Sequence, residues 1–320
     1  MKSRIKISGT LLAFALAVVL FLLSGLLPHG FSNVTQAYRQ AIHILRLSSF
    51  LGIIAAGQTL VVISGYGGID LSVGSVVTLS AVLTFGTVNG RDSMILPALL
   101  LILAVGAGIG FVNGIGVTYL KISPLIMTLA MAGVVQGLVL AVTHGVLVGG
   151  ISPLMGNIIV KPLFLGIPGT VVIWVLFSLG VWLLLERTFY GKQLFSIGAN
   201  RIAAHLSGVH VNRVVALTYT LASMMTAFGG FMLVGYTQMI LINLGAPYLF
   251  PSIAAVAIGG TLFTGGKGSY FGTMAGAIIL TLITSILTTI QVPHAIRQII
   301  LGFILLIILS AYGRQRALRQ

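Results

Sequence analysis

Residues 186–213, ERTFYGKQLFSIGANRIAAHLSGVHVNR, form a long polar stretch in a chain whose other segments are mostly apolar. A short amphipathic helix is predicted inside it, because Asn200 can cap the N-terminus of a helix and Gly208 can end it. An apolar face then follows at helical spacing: Ile202, Leu206 and Val209. A membrane protein that presents such a helix on one side has a docking surface there.

Composition places the chain in a membrane. It has 320 residues, of which 58% are hydrophobic and 6% charged, and its mean hydropathy is +1.14. A soluble domain of this size would lack the charge to solvate its surface. The apolar runs have the length of helices and do not alternate, so the predicted fold is an all-α integral membrane protein in a lipid bilayer. The net charge of +14 is spread over loops and chain ends, so no nucleic acid partner is expected.

Metal, cofactor and ATPase chemistry are not expected of this chain. It has no cysteine, and none of its six histidines has the spacing of a metal-ligand pair. The glycine-rich stretch 260–268 lacks the first glycine and the final Ser or Thr of a phosphate-binding loop. Three acids in the whole chain also leave no ligand set for Mg²⁺. We therefore expect no catalytic residues.

About ten apolar segments approach the length of a membrane crossing. They cover residues 8–27, 49–64, 70–90, 94–119, 124–147, 167–186, 213–238, 250–264, 270–290 and 296–312. The second and eighth segments are short, and they run into glycine clusters at 65–68 and 265–268. Segments 2 and 7 start on opposite sides of the membrane, which allows an inverted repeat of helices 2–5 against helices 7–10.

Basic residues predict the orientation. With the N-terminus in the cytoplasm, twelve of the seventeen Lys and Arg residues lie on that side and five on the other, as the positive-inside rule requires. Both termini and the loop 186–213 are then cytoplasmic. The apolar run 7–27 is too long for a typical signal peptide and has no cleavage site, so it is predicted to be the first transmembrane helix. Residues 1–320 would form a single transmembrane domain.

Asp70 is the one acid predicted inside the bundle. It follows a glycine-rich break and precedes an apolar segment, so it can cap the next helix. It can also be a polar contact on a transport path, where a broken helix lines a cavity. Asn113, Thr128 and Gln136 are either further contacts of this kind or residues that hold helices together. So few ionisable groups predict a passive pathway that is driven by a partner.

Four stretches resemble the permease subunits of bacterial ABC importers for monosaccharides, of the ribose type, over about residues 40–310. They are Gly68-Ile-Asp70-Leu-Ser72-Val-Gly74; Asn113-Gly114 with Lys121–Leu129; Gly191 with Ile197–Val209; and Ile253–Gly260 with Gly265–Gly268 and Gly272-Thr273. The resemblance implies an inner-membrane half-transporter. A second permease chain would complete the pathway, cytoplasmic ATP-binding subunits would dock on the loop, and a periplasmic sugar-binding protein would deliver the solute.

The resemblance and the polar positions together give two sets of candidate site residues. The residues expected to couple to the ATPase are Gly191, Gly198, Asn200, Ala203, Ala204, Leu206, Ser207 and Gly208. The residues expected on the substrate pathway are Asp70, Ser72, Asn113, Thr128, Gln136, Gly259 and Gly260.

One segment departs from the family pattern. Many members have Tyr-Glu-Leu-Asp before the Ile-Ala-Ala-Val stretch, whereas this chain has Tyr248-Leu249-Phe250-Pro251. The loss of both acids changes the surface offered to a partner. It favours a mixed pair in which the second permease is a different chain, and a homodimer is the alternative.

The sequence leaves alternatives to the sugar importer. The same architecture could carry another small solute, such as a furanone signal, a nucleoside or an amino acid. An ATP-independent secondary carrier is disfavoured by the scarcity of acids inside the bundle. A membrane enzyme is disfavoured further, because no nucleophile and base or metal constellation is present.

Overall fold

The computed structural model describes residues 9–27, 30–164 and 166–317. Its helices are α1 Gly9–Gly25, α2 Val34–Ile63, α3 Val73–Val88, α4 Ile95–Thr118, α5 Pro124–Thr143, α6 Pro153–Val160, α7 Gly169–Glu186, α8 Phe189–Ala199, α9 Arg201–Leu206, α10 Val211–Thr237, α11 Leu249–Ile258, α12 Tyr270–Thr289 and α13 His294–Ala317. Short 3-10 turns cover Asp92–Met94 and Ala246–Tyr248. Strands β1 Pro162–Phe164 and β2 Ile167–Pro168 pair antiparallel.

The prediction of an all-α membrane protein is confirmed. Six of the described helices are long and apolar enough to cross a membrane, namely α2, α4, α5, α7, α10 and α12. Shorter apolar helical stretches are α1, α3, α11 together with the turn before it, and the first part of α13, His294–Ile307. Ten crossings therefore stay a prediction. The six long helices and the four shorter ones would together give that number.

The prediction of a short second segment, 49–64, is wrong. Helix α2 has 30 residues and begins at Val34, where the Asn33 side chain caps it. At 1.5 Å per residue it is about 45 Å long, more than the hydrocarbon core of a bilayer. Arg39 and Arg46 lie in its first half, so the average hydropathy of that half is low although the backbone is helical.

Two loops hold more structure than predicted. The polar stretch 186–213 contains two short helices, α8 and α9, where one was expected. The connection between α5 and α7 contains α6 and the β-hairpin, neither of which the apolar periodicity indicated. The Ser152 side chain caps α6 by accepting from the Met155 N–H at 3.2 Å.

Helices α2 and α10 lie at the centre of the bundle and contact each other. Helix α2 also contacts α11 and α12, as α10 contacts α3 and α4. Helix α3 contacts α4 and α5, as α11 contacts α12 and α13. The two sets of contacts match when α2–α5 are compared with α10–α13, which correspond to the predicted segments 2–5 and 7–10. This match supports the predicted repeat.

Glycines set the distance between the central helices. Gly106, Gly110 and Gly114 of α4 all face the backbone of α10. A Cβ atom on Gly110 would overlap the carbonyl oxygen of Tyr219. The backbones therefore approach closely, as in other small-residue contacts between membrane helices.

Replacing Gly110 with alanine should destabilise the chain by about 1–3 kcal/mol, because the new methyl group has no room against α10. Gly108→Ala is the matched control on the same helix, since nothing lies within 4 Å of a Cβ atom there. Thermal unfolding of both variants in one detergent would measure the difference. Equal melting temperatures would contradict the close contact of α4 with α10.

Candidate functional site

Helix α9 begins and ends as the sequence predicts. The Asn200 Oδ1 atom accepts hydrogen bonds from the N–H groups of Ile202 and Ala203, both at 3.0 Å. Gly208 has a φ of +83°, a left-handed conformation that glycine adopts without strain. The following Val209 N–H donates to the Ala204 carbonyl at 3.1 Å, and the Gly208 N–H donates to the His205 carbonyl at 3.0 Å. These two bonds at the C-terminus form a Schellman motif that closes the helix.

The apolar side chains of α9 are divided between the protein and the outside. Ala204 is buried and packs with Val211 and Val214 of α10. Ile202 is 74% exposed and Leu206 81% exposed. Ala203, Ser207 and Gly208 are exposed beside them. The outward side of α9 therefore carries exposed apolar side chains where the sequence predicts a docking surface. Val209, predicted on the same face, is instead half-buried and packs against the cluster that contains Ala204.

Helix α8 packs between α9 and the bundle, and we call it the platform. Leu194 and Ile197 of α8 are buried, and the Tyr190 hydroxyl hydrogen bonds with the Thr218 hydroxyl of α10 at 2.9 Å. Burial raises the pKa of Tyr190 far above its ordinary value, so this hydroxyl stays protonated. Gly191 lies where a Cβ atom would overlap the Leu185 carbonyl, so the chain can fold back directly after α7.

A glycine junction joins this platform to the bundle; we define it as Gly65, Gly198, Gly265 and Gly266. A Cβ atom on Gly198 would overlap the Ile63 carbonyl at the end of α2 and the Gly266 nitrogen. The Gly266 N–H donates to that same Ile63 carbonyl at 2.9 Å. The two glycine clusters seen in the sequence therefore meet each other and the platform at one point.

A second link connects α9 to the helix break, which we define as residues 64–72 between α2 and α3. The Arg201 guanidinium lies over the Tyr66 ring, 5.1 Å from its centre, which is a cation–π distance. Tyr66 has a φ of +58°, an uncommon backbone conformation for a side chain of this size. Its ring is 73% exposed and so reaches out of the break toward α9.

Buried side chains hold the helix break in place. Two of them, Asp70 and Ser72, belong to the break, and three come from other helices: Gln58, Asn113 and Thr128. The Asp70 carboxylate accepts from the Ser72 N–H at 2.8 Å and from the Ser72 hydroxyl at 2.5 Å. The Gln58 carboxamide of α2 pairs with the Asp70 backbone, accepting from N–H at 3.3 Å and donating to the carbonyl at 3.2 Å. Asp70 therefore stabilises the turn before α3, while Ser72 occupies the N-cap position of that helix.

Helices α4 and α5 complete this support. The Asn113 amide donates to the Ser72 hydroxyl at 3.2 Å. The Thr128 hydroxyl accepts from the Leu71 N–H at 3.0 Å and lies 3.2 Å from the Ile69 carbonyl. All these side chains are buried. A backbone that leaves the helix in lipid must find such partners, because water is not available to satisfy its polar groups.

The structure brings together four of the seven predicted pathway residues: Asp70, Ser72, Asn113 and Thr128. Gln136 is exposed on another part of α5. Gly259 and Gly260 end α11, where Gly259 packs against Gly272 of α12. Gln58 was not predicted as part of the site. The signal that could have identified it is a single amide side chain in the apolar half of α2.

Basic side chains surround α9. A cavity of about 760 Å³ opens beside it and is lined by Tyr66, Tyr119, Asn200, Arg201, Ile202, His205, His210, Val211, Asn212 and Arg213. Two arginines in this lining give the surface a positive charge. A partner that docks here would match it best with acidic or hydrogen-bond-accepting groups.

The Thr128→Val variant should destabilise the chain by about 1–3 kcal/mol, because the part-buried Leu71 N–H loses its acceptor. Thr118→Val is the matched control. Both hydroxyls are buried and bond to a carbonyl four residues earlier in their own helix, at 2.8 and 2.7 Å, but the Thr128 hydroxyl also reaches the helix break. A loss of stability no larger than that of the control, in chemical or thermal unfolding, would show that this bond does not support the break.

Comparison with known proteins gives the family. A model described as "Branched-chain amino acid transport system / permease component" matches residues 40–309. The ribose import permease of Bacillus subtilis is 35% identical over 268 residues, which are 83% of this chain and 82% of that protein. The Escherichia coli K12 ribose import permease is 32% identical, over 92% of this chain and 90% of its own length. The autoinducer 2 import permease LsrD of Photorhabdus temperata is 31% identical, over 96% and 92%.

No solved structure matches the chain. The family model and these relatives confirm the resemblance that the four sequence stretches indicated. The chain is a multi-pass membrane protein that is similar to import permeases for ribose and autoinducer 2, and it belongs to the family of transport-system permease components that this model describes.

Proposed function

We propose that this chain is the membrane-spanning permease of an ABC importer for an uncharged sugar or sugar-like solute, and that α9 receives a separate ATP-binding subunit. The observation that carries the proposal is the outward face of α9. Ile202 and Leu206 are exposed there on a helix that is capped at both ends and anchored through Ala204. A rigid helix that exposes two apolar side chains on an otherwise polar loop is suited to insertion into a groove of a partner protein.

Movement of the docked subunit would reach the bundle by two routes. One is the glycine junction, where the platform touches the end of α2 and the loop before α12. The other is the Arg201–Tyr66 pair, which reaches the helix break. Since the junction contains only backbone atoms, it has little freedom to absorb a displacement, so α2 and α12 should move with the platform.

The orientation follows from the same assignment. If an ATP-binding subunit docks on α9, then α9 and both chain termini lie in the cytoplasm. The chain itself then spans the inner membrane of a bacterium. The whole chain then acts as one transmembrane domain with a coupling loop at 186–213. The helix break lies on the cytoplasmic side of the bundle, because it touches the platform.

The pathway is proposed to form between this chain and a second permease. Gln136 is exposed on α5, and neither Gly133 nor Gly137 beside it has atoms within 4 Å of a Cβ position. This side of α5 is therefore open to a second chain or to solute. The four buried residues of the helix break would act on the pathway by holding α3 in place.

Substitution of Leu206 by glutamate should lower ATP-dependent uptake on the order of tenfold, because it puts a charge at the centre of an apolar contact. Ser196→Glu adds the same charge to an exposed position of α8 and should leave uptake close to normal. Uptake is measured in proteoliposomes that contain the complete importer. Normal uptake by Leu206→Glu would rule out docking through this face of α9.

Purification of the chain from native membranes should recover an ATP-binding subunit and a periplasmic sugar-binding protein. If the loss of acids at 248–251 reflects a mixed pair, a second permease of different sequence will also be present. An active complex that contains only this permease would contradict the mixed pair. Transport by the isolated chain without ATP would replace the importer with a secondary carrier.

A further inference from the structure

A second cavity, of about 460 Å³, lies between the outer parts of α2, α12 and α13 and the turn before α11. Its size is within the range of small-molecule sites. One wall is a row of hydroxyl groups on the same side of α12: Thr281, Thr284, Ser285, Thr288 and Thr289. The other polar side chains of its lining are His43, Tyr248 and Gln298.

The cavity lies far from the coupling loop. Helix α12 begins just after the glycine junction, and its hydroxyl row occupies the second half of the helix. At 1.5 Å per residue, Thr284 is about 20 Å along the axis from the start of α12. His43 and Leu51 of α2 line the same cavity, in or near the half of α2 away from the junction. With α9 in the cytoplasm, the cavity is in the outer half of the membrane.

The hydroxyl row presents mainly acceptors to the cavity. Four of its threonines donate their hydroxyl hydrogens to carbonyls four residues earlier, at 2.7 to 3.0 Å. Their oxygens keep lone pairs for other donors, although one on Thr288 is already used by Arg297. Within the part of the chain that the structure describes, the Ser285 hydroxyl has no hydrogen-bond partner and can both donate and accept. Gln298 adds an amide, whose nitrogen lies 3.4 Å from the His294 Nε2 atom.

The described lining has no carboxylate. No Asp, Glu, Lys or Arg occurs among the described residues that line this cavity, although the Arg297 guanidinium donates to the Thr288 hydroxyl of the lining. The ammonium group of an amino acid zwitterion would lose its hydration there without a carboxylate to pair with. Pro251 contributes to the wall at the position where many family members carry an acid. With proline at this position, the described lining offers no acidic partner to an ammonium group.

From this geometry we infer that the cavity is a solute subsite within a single permease chain, and that it takes an uncharged polyhydroxylated molecule of sugar size. The hydroxyl row accepts from the solute's hydroxyl groups, and Ser285 and Gln298 donate to its oxygens. Leu47, Leu51 and the Tyr248 ring cover its apolar side. This inference rests on the proposed function and adds a place where the solute binds.

The absence of cysteine from the chain allows a direct test. Ser285→Cys introduces one thiol into the cavity, and Ser93→Cys introduces one at an exposed turn of the outer side. The rate of modification by a small neutral maleimide is measured in the complete importer in lipid nanodiscs. D-ribose, D-arabinose, glycerol and myo-inositol are the uncharged probes, and L-leucine is the zwitterionic one.

We expect at least one uncharged probe to slow labelling of the cavity thiol severalfold, while L-leucine has no effect and the Ser93→Cys rate stays constant. The inference is overturned if none of the uncharged probes protects, or if L-leucine protects equally. It is also overturned if the thiol is blocked in nanodiscs and reactive in detergent, because lipid would then fill the cavity.

A second pair of variants tests the subsite through transport. Thr284→Val should raise the apparent KM for uptake by about two- to tenfold, the effect of losing one hydrogen bond to solute. Thr226→Val is the matched control, since both threonines bond to a carbonyl four residues earlier at 2.9 Å and Thr226 is buried in α10. Equal KM values would contradict the subsite. ATP-dependent uptake by the unmodified chain would still support the importer, so failure of the two proposals can be distinguished.

Discussion

The need to satisfy every backbone polar group in lipid governs this structure. Helix α2 ends inside the bundle at Ile63, and α3 does not begin until Val73. The intervening peptide groups are bonded by Gln58, Thr128 and the Asp70–Ser72 pair. These side chains come from α2, the break itself and α5, with Asn113 of α4 bonded to Ser72. The break therefore ties four parts of the bundle together, and it can exist only where they meet.

Close backbone contact is the second constraint. Because Gly110 has no side chain, the backbone of α10 can contact the backbone of α4. In the same way, the glycine junction lets the platform contact both glycine-rich loops. In lipid there is little hydrophobic force between apolar helices, so contact depends on shape and on dispersion between closely spaced atoms. The same lack of side chains makes the junction stiff. A docking helix that must move its bundle benefits from an attachment of this kind.

The two ends of the permease therefore have different chemistry. Around α9 the surface is basic and carries exposed apolar side chains, which suits a protein partner. The described lining of the cavity among α2, α12 and α13 has no carboxylate and is rich in hydroxyl groups, which suits the uncharged solute that we infer for it. Family membership alone leaves the solute open, because the family description refers to amino acids while the similar proteins are import permeases for ribose or autoinducer 2. The hydroxyl row of α12 is the feature of this chain that favours a sugar-like solute.

Composition and periodicity by themselves determined the membrane class, most helix positions and both ends of α9, because these depend on hydropathy and on capping residues that are neighbours in sequence. The burial of Ala204, the meeting of the two glycine clusters and the pairing of Gln58 with Asp70 were decided by tertiary structure. Each of these joins residues from different parts of the fold, and one sequence does not record such distances. Helix α2 illustrates the limit, since its charged first half is helical through its cap and its tertiary contacts, which average hydropathy cannot register.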